Sequence, residues 1–176
     1  MDMYADVVFA GTGAGGLFSA LSLPRDRKII MITKSDLESS DSFLAQGGIC
    51  VLRNEEDYDS YFEDTMRAGH YENRKESVDI MIRSSQETIA DLISYGVDFK
   101  RNEDGSLAFT KEGAHSTPRI CFHEDETGKE ITSHLLKAVQ ELPNVKIIEH
   151  CRMTDIIEKD GRCAGIVAQH ENGSMT

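Results

Sequence analysis

A glycine loop near the start of the chain constrains its fold more than any other feature. Val7-Val8-Phe9-Ala10 is a short apolar run, Gly11-Thr12-Gly13-Ala14-Gly15-Gly16 follows, and Leu17 to Leu23 is again largely apolar. This order reads as strand, turn and helix, the context in which glycines at 11, 13 and 16 mark a dinucleotide site. Gly11 permits the tight turn, Gly13 lets backbone approach a pyrophosphate, and Gly16 lets the helix pack on the strand. The helix N-terminus offers free N–H groups and a positive dipole end to the phosphates. A glycine-rich turn without ligand is the competing reading, and the agreement of strand, spacing and helix weighs against it. Lys28-Ile29-Ile30-Met31-Ile32-Thr33 reads as a second strand, completing a βαβ unit.

Charge narrows the partners. The chain has 176 residues and a formal net charge of -12, which argues against nucleic acid and against an anionic membrane surface. An anionic substrate therefore needs a local cationic pocket. The length suits one domain with a sizeable core. No apolar run approaches a membrane span, and the N-terminus lacks the basic and apolar regions of an export signal. Cys50, Cys121, Cys151 and Cys163 show neither a C-x-x-C pair nor metal-ligand spacing, so they read as reduced thiols of a cytoplasmic protein.

Further along, Asn54 reads as the N-cap of a helix over 55–68, with Tyr58, Tyr61, Phe62 and Thr65 on one face and Gly69 as its stop. Val78, Met81, Ile82, Ile89, Leu92 and Ile93 recur at helical spacing within a helix over 75–95. Residues 99–113 read as short extended pieces around an Asn102-Glu103-Asp104-Gly105 turn. Thr127-x-x-Glu130 reads as a capping box opening a helix that Pro143 closes. A strand is expected over 145–149, and a hairpin over 153–158 and 163–169 around Lys159-Asp160-Gly161-Arg162. Asn172-Gly173 is a hairpin turn signal, so a further strand is expected beyond it, and the chain reads as a fragment of a longer protein.

Three segments carry candidate chemistry. The second strand ends in Thr33-Lys34 where a ribose-binding Asp or Glu is usual. Thr33 can still bond a ribose hydroxyl, and Lys34 can sit near phosphate or simply mark an exposed strand end. Ala45-Gln46-Gly47-Gly48 sets two glycines beside an amide, a backbone able to lie flat against a planar ring; alone it is a loop. The third segment runs from Thr110-Lys111-Glu112-Gly113-Ala114-His115-Ser116 through Arg119 to Asp125-Glu126-Thr127-Gly128. It can hold an amino acid, with Glu112 for the ammonium and Arg119 or His115 for a carboxylate; alone it is a polar surface loop.

Together these segments resemble the flavoprotein family of succinate dehydrogenase, fumarate reductase and L-aspartate oxidase, and most of all its aspartate-oxidising branch. The resemblance rests on Gly11-x-Gly13-x-x-Gly16, on Ser42-Phe43-x-Ala45-Gln46-Gly47-Gly48-Ile49, on Thr110-x-Glu112-Gly113-x-His115-Ser116-x-x-Arg119-Ile120 and on Asp125-x-Thr127-Gly128. It implies an α/β fold: a Rossmann-like FAD-binding domain with a βαβ start, inserted helices and a β-hairpin. Residues 1–176 are then the N-terminal part of that domain, ending before the capping and helical domains. The Arg taken as the family's proton-transfer residue lies in the capping domain, so no catalytic base is assigned within these residues.

The same resemblance implies site residues. Gly11, Thr12, Gly13, Ala14, Gly15 and Gly16 hold the FAD pyrophosphate, Thr33 the ribose and Lys34 the phosphate region. Asp41, Ser42, Phe43, Leu44, Ala45, Gln46, Gly47 and Gly48 hold the isoalloxazine edge, and Arg152 and Met153 touch adenine through backbone. Asp41 stands where covalent-flavin relatives carry a His, so the implied FAD is non-covalent. Glu112 binds the substrate ammonium, with His115 and Ser116 nearby; His123 falls one position late against the pattern. The implied reaction is hydride transfer from the α-carbon of L-aspartate to flavin, giving iminoaspartate. Oxygen or fumarate is then the electron acceptor, and quinolinate synthase a partner in the onward route to NAD. Two alternatives stay open: a soluble fumarate reductase or succinate oxidase, which Asp41 and Glu112 count against, and a non-catalytic nucleotide-binding fragment.

Overall fold

The computed structural model describes residues 2–176. In chain order the elements are β1 (Val7–Ala10), α1 (Ala14–Ser22), β2 (Ile29–Ile32), α2 (Asp41–Leu44), β3 (Ile49–Cys50), a 3-10 turn (Glu55–Asp57), α3 (Tyr58–Ala68), α4 (Lys75–Ser94), β4 (Ile120–Cys121), α5 (Thr127–Gln140), β5 (Val145–Ile148), β6 (Cys151–Lys159) and β7 (Arg162–His170). They divide into two compact units. One runs to Leu44 and resumes over Ile131–Thr176; the other is Ala45–Glu130.

The first unit is built on a parallel three-stranded sheet of order β1-β2-β5. Val7 stands opposite Ile29, and Ile29 opposite Val145. All four residues of β2 are buried, as an unbroken Ile-Ile-Met-Ile run in the middle of a parallel sheet requires. Helix α1 starts at Ala14, three residues earlier than the apolar pattern alone marks. The β6–β7 hairpin pairs Cys151 with His170 and Lys159 with Arg162. Its tip, Asp160 at φ 53° and Gly161 at φ 72°, is a two-residue turn with both residues left-handed, the geometry that matches strand twist. Ile30, Ile32, Cys151 and Ala168 form one apolar cluster between sheet and hairpin. Past Asn172-Gly173, Thr176 exchanges both backbone hydrogen bonds with Ala168, so the residues after that turn pair back on β7.

In the second unit α3 and α4 pack together over Leu52, Tyr61, Met66, Val78 and Ile82. Asn54 caps as expected, its Oδ1 accepting the Asp57 N–H at 3.0 Å. Three expectations are corrected. Met81 is exposed and Ser85 is buried in the α4 face: the Ser85 hydroxyl accepts the Leu52 N–H, which an apolar side chain there would orphan. The capping box does not form. Thr127 lies inside the helix and its hydroxyl accepts the His123 N–H, while Glu130 accepts the Asp98 N–H. Third, residues 120–121, within the segment that alone reads as a polar surface loop, pair with 49–50 as the short antiparallel β3–β4 ladder. Gly48 makes this possible, since a Cβ there would stand 2.3 Å from the Cys121 carbonyl oxygen.

Met31 is fully buried at the centre of β2. Met31→Ala should lower stability by about 2–5 kcal/mol, the usual cost of emptying a buried long side chain, measured by urea unfolding; a loss under ~1 kcal/mol would show that the sheet is not packed as described.

Candidate functional site

The glycine loop forms the floor of a cleft in the first unit. Gly11 has φ +123°, a conformation that only glycine adopts without strain. Gly16 packs so closely that a Cβ would stand 2.7 Å from the Gly11 carbonyl oxygen. Helix α1 opens at Gly13 with no side-chain cap and no acidic residue in its first turn, leaving N–H groups and dipole for an anion. The Thr12 hydroxyl is buried without a partner.

Four stretches far apart in sequence meet around this floor. A cleft of about 460 Å3 is lined by 10–13, by 32–35 at the end of β2, by 39–42 before and within α2, and by Cys151, Arg152 and Met153 of β6. Thr33, Lys34, Asp41, Ser42, Arg152 and Met153 therefore share one cavity with the glycine loop. Ala14, Gly15 and Gly16 form the first turn of α1 beneath it. Phe43 and Leu44 complete α2 without lining the cleft, and Leu44 is exposed. The serines at 35, 39 and 40 were legible only as a polar stretch, because nothing local says that they fold back over the β2 end. The β1–turn–α1 geometry, the uncapped helix end, the unpartnered Thr12 hydroxyl and the adjoining cleft fit a dinucleotide.

In the second unit, Ala45, Gln46, Gly47 and Gly48 precede β3. The Ala45 carbonyl accepts the Gly128 N–H at the start of α5. A Cβ on Gly47 would lie 3.5 Å from Glu112 Oε2, so the Glu112 carboxylate sits beside this loop. His115 lies against β3 at Cys50. Its Nε2 is 3.1 Å from Cys50 Sγ, and its Nδ1 3.0 Å from an Arg119 NH1 nitrogen.

Arg119 is not a substrate ligand. It is fully buried, and all five of its N–H groups are engaged. Nε donates to Asp57 at 3.0 Å. One terminal nitrogen donates to Asp57 at 2.7 Å and to Ser60 at 2.8 Å, and the other to Asp64 at 2.7 Å and to His115. This corrects the expectation of Arg119 as a candidate carboxylate ligand: no donor is left. Ser116 is drawn into the same network, its N–H at 2.6 Å and hydroxyl at 2.7 Å from Asp64 Oδ2. Asp57, Ser60 and Asp64 were missed in the sequence, though their i, i+3, i+7 spacing is a visible polar stripe on one helix face.

Protonation follows from this packing. Burial raises the Asp57 carboxyl, but hydrogen bonds from Arg119 and Thr117 outweigh it and hold it below the ordinary range. Asp64 is likewise lowered: burial opposes, and the Ser116 N–H, Arg119, the Ser116 hydroxyl and Arg67 prevail. His115 is lowered by burial and then by the Arg119 charge. Burial raises Cys50, and it raises Cys121 to about 11. All four cysteines are free thiols. Among the described residues no helix is long and apolar enough to cross a membrane, and no group of three metal-binding side chains occurs.

Comparison with known proteins decides the family. Residues 6–176 match the model of the FAD binding domain. The chain belongs to the FAD-binding domain family. FAD is accordingly the cofactor. Among curated relatives, the L-aspartate oxidases of Clostridium acetobutylicum and Clostridium perfringens are 45% and 46% identical over all 176 residues. The chain spans 41% and 40% of their lengths. Among solved structures, an Escherichia coli quinol fumarate reductase FrdA variant superposes with a TM-score of 0.89 at 25% identity, covering 96% of this chain and 30% of that one. A flavocytochrome c3 fumarate reductase shares the fold with a TM-score of 0.83 at 19% identity, over 97% of this chain and 31% of that one.

Two outcomes follow. Gly16→Ala, which forces helix α1 off the Gly11 carbonyl, should weaken FAD binding at least ~10-fold, since a Cβ there collides with backbone that cannot yield cheaply; flavin fluorescence titration measures it, and unchanged affinity would remove the loop from the site. Acid should unfold the second unit in two stages. The unfolded chain protonates His near pH 6.5 and Asp near ~4, whereas folded His115, Asp57 and Asp64 all resist protonation. Each stabilises fully above its unfolded value and loses that stabilisation as pH falls. Urea midpoints taken from pH 8 to 3 should decline below about 6.5 and again below about 4.

Proposed function

We propose that this chain is the FAD-binding portion of an L-aspartate oxidase that converts L-aspartate to iminoaspartate. The observation that carries the reading is the Glu112 carboxylate standing beside Gly47 in the loop that opens the second unit. An α-ammonium needs an anionic acceptor, and a purely dicarboxylate substrate gains nothing from one. Relatives 45% and 46% identical over the whole chain, and named L-aspartate oxidase, support it.

Bound FAD supplies the two-electron redox chemistry, and the protein supplies position and field. The glycine loop and the N-terminus of α1 hold the pyrophosphate. Thr33 and Lys34 face the ribose and phosphates, and Arg152 and Met153 the adenine. Asp41, placed in the cleft, offers a carboxylate where a flavin-linking His would be needed, so FAD is held non-covalently. Gln46 and the backbone of Gly47 and Gly48 serve the isoalloxazine edge. Glu112 accepts the ammonium of aspartate, and His115 is the neighbouring donor. Oxygen or fumarate takes the electrons. Iminoaspartate passes to quinolinate synthase on the way to NAD, in the cytoplasm. The structural likeness to a fumarate reductase keeps one second reading, a soluble fumarate reductase or succinate oxidase, against which Glu112 speaks.

In the full-length FAD-loaded enzyme, Glu112→Gln should raise the KM for aspartate roughly 10- to 100-fold, the worth of one charge-assisted hydrogen bond, while leaving succinate binding within a few-fold. Steady-state peroxide release measures both. An unchanged ratio of aspartate to succinate would sink the ammonium role, and fumarate reduction without aspartate turnover would favour the second reading.

A further inference from the structure

His115 touches two groups of opposite hydrogen-bonding character. Arg119 has only N–H groups, so the His115 Nδ1 facing it at 3.0 Å must accept. The imidazole proton therefore resides on Nε2, which faces Cys50 Sγ at 3.1 Å. Sulfur is a weak acceptor, so this N–H is easily recruited by a stronger one. Tyr61 meets the ring edge-on, with centroids 5.9 Å apart, and restricts its rotation. His115, Cys50 and Gly48 border one cavity of about 730 Å3 in the second unit.

We propose that Arg119 is a positioning residue: by donating to Nδ1 it delivers His115 as a neutral imidazole whose single N–H, on Nε2, binds a carboxylate oxygen of the substrate. This rests on the aspartate reading above. It assigns to His115 the job that Arg119 cannot do, having no donor to spare. The charged and titratable groups facing His115 are Asp57 and Asp64 from the turn and α3, Tyr61 from α3, Cys50 from β3, and Glu112 and Arg119 from its own segment. The three carboxylates favour the imidazolium. Burial and the Arg119 charge oppose it and prevail, because a proton on Nδ1 would point at a guanidinium N–H.

The test uses the full-length FAD-loaded enzyme labelled with 15N-histidine, in which loss of a resonance in His115→Gln assigns His115. Long-range proton–nitrogen correlation should show the Nε2–H tautomer at pH 7–8, and added succinate should shift the Nε2–H signal. An Nδ1–H tautomer, an imidazolium at pH 7, or no response to succinate overturns the proposal. In kinetics, His115→Leu should raise the KM for aspartate roughly 10- to 100-fold with kcat within a few-fold, as loss of one hydrogen bond to a charged group predicts. His115→Gln, whose amide reaches the Nε2 position, should recover most of that loss, and His115→Asn, which reaches only Nδ1, should not. Equal KM values in the three variants overturn it. Arg119→Met, which removes every donor facing Nδ1, should return His115 to a mixture of tautomers; an unchanged tautomer overturns the Arg119 role. If the full-length enzyme fails to oxidise aspartate, the aspartate reading falls, and the tautomer and succinate titration still judge the positioning claim.

Discussion

The buried guanidinium of Arg119 organises the second unit. Removing a charge of this size from water costs several kcal/mol, and the cost is offset only when every polar contact is satisfied in good geometry. Here that condition is met: Asp57 takes two of its N–H groups, and Ser60, Asp64 and His115 take the others. The partners come from three local elements. Asp57 ends the 3-10 turn before α3, Ser60 and Asp64 lie along α3, and His115 sits in the loop leading to β4. One side chain thus ties together the turn, the helix and the loop. The Arg119 carbonyl in turn accepts the Val51 N–H after β3.

That network explains why a segment rich in charge is ordered. Residues 110–119 contain Lys111, Glu112, His115, Ser116 and Arg119, a composition that favours a solvated loop. Ser116 gives both its N–H and its hydroxyl to Asp64, and Arg67 reaches the Ala114 carbonyl at 3.1 Å. The loop is fastened at three points, leaving Glu112 exposed beside Gly47 and His115 against Cys50. Rigid backing with a free carboxylate at the tip is what recognition of a small polar ligand needs.

The first unit solves a different problem by different means. Its cleft has few charges and relies on backbone: the uncapped first turn of α1, the left-handed Gly11 and the close packing of Gly16. Such a floor offers N–H groups and dipole to an anion, which suits a chain whose net charge of -12 would otherwise repel one.

The sequence by itself determined the elements that depend on local rules. The strand–glycine–helix start, the Asn54 cap, the α4 helix, the Asp160-Gly161 hairpin tip and the pairing begun after Asn172-Gly173 all follow from residue spacing and turn chemistry. Tertiary structure alone decided what depends on long-range partners. It placed Ser35, Ser39 and Ser40 over the end of β2, turned Thr127 from a cap into an acceptor for His123, and paired β3 with β4 across seventy residues. Above all it turned Arg119 from a candidate ligand into a buried support. An arginine reads the same in sequence whether it faces solvent or two aspartates. Only the burial, which forces every one of its donors to find an acceptor, distinguishes the two.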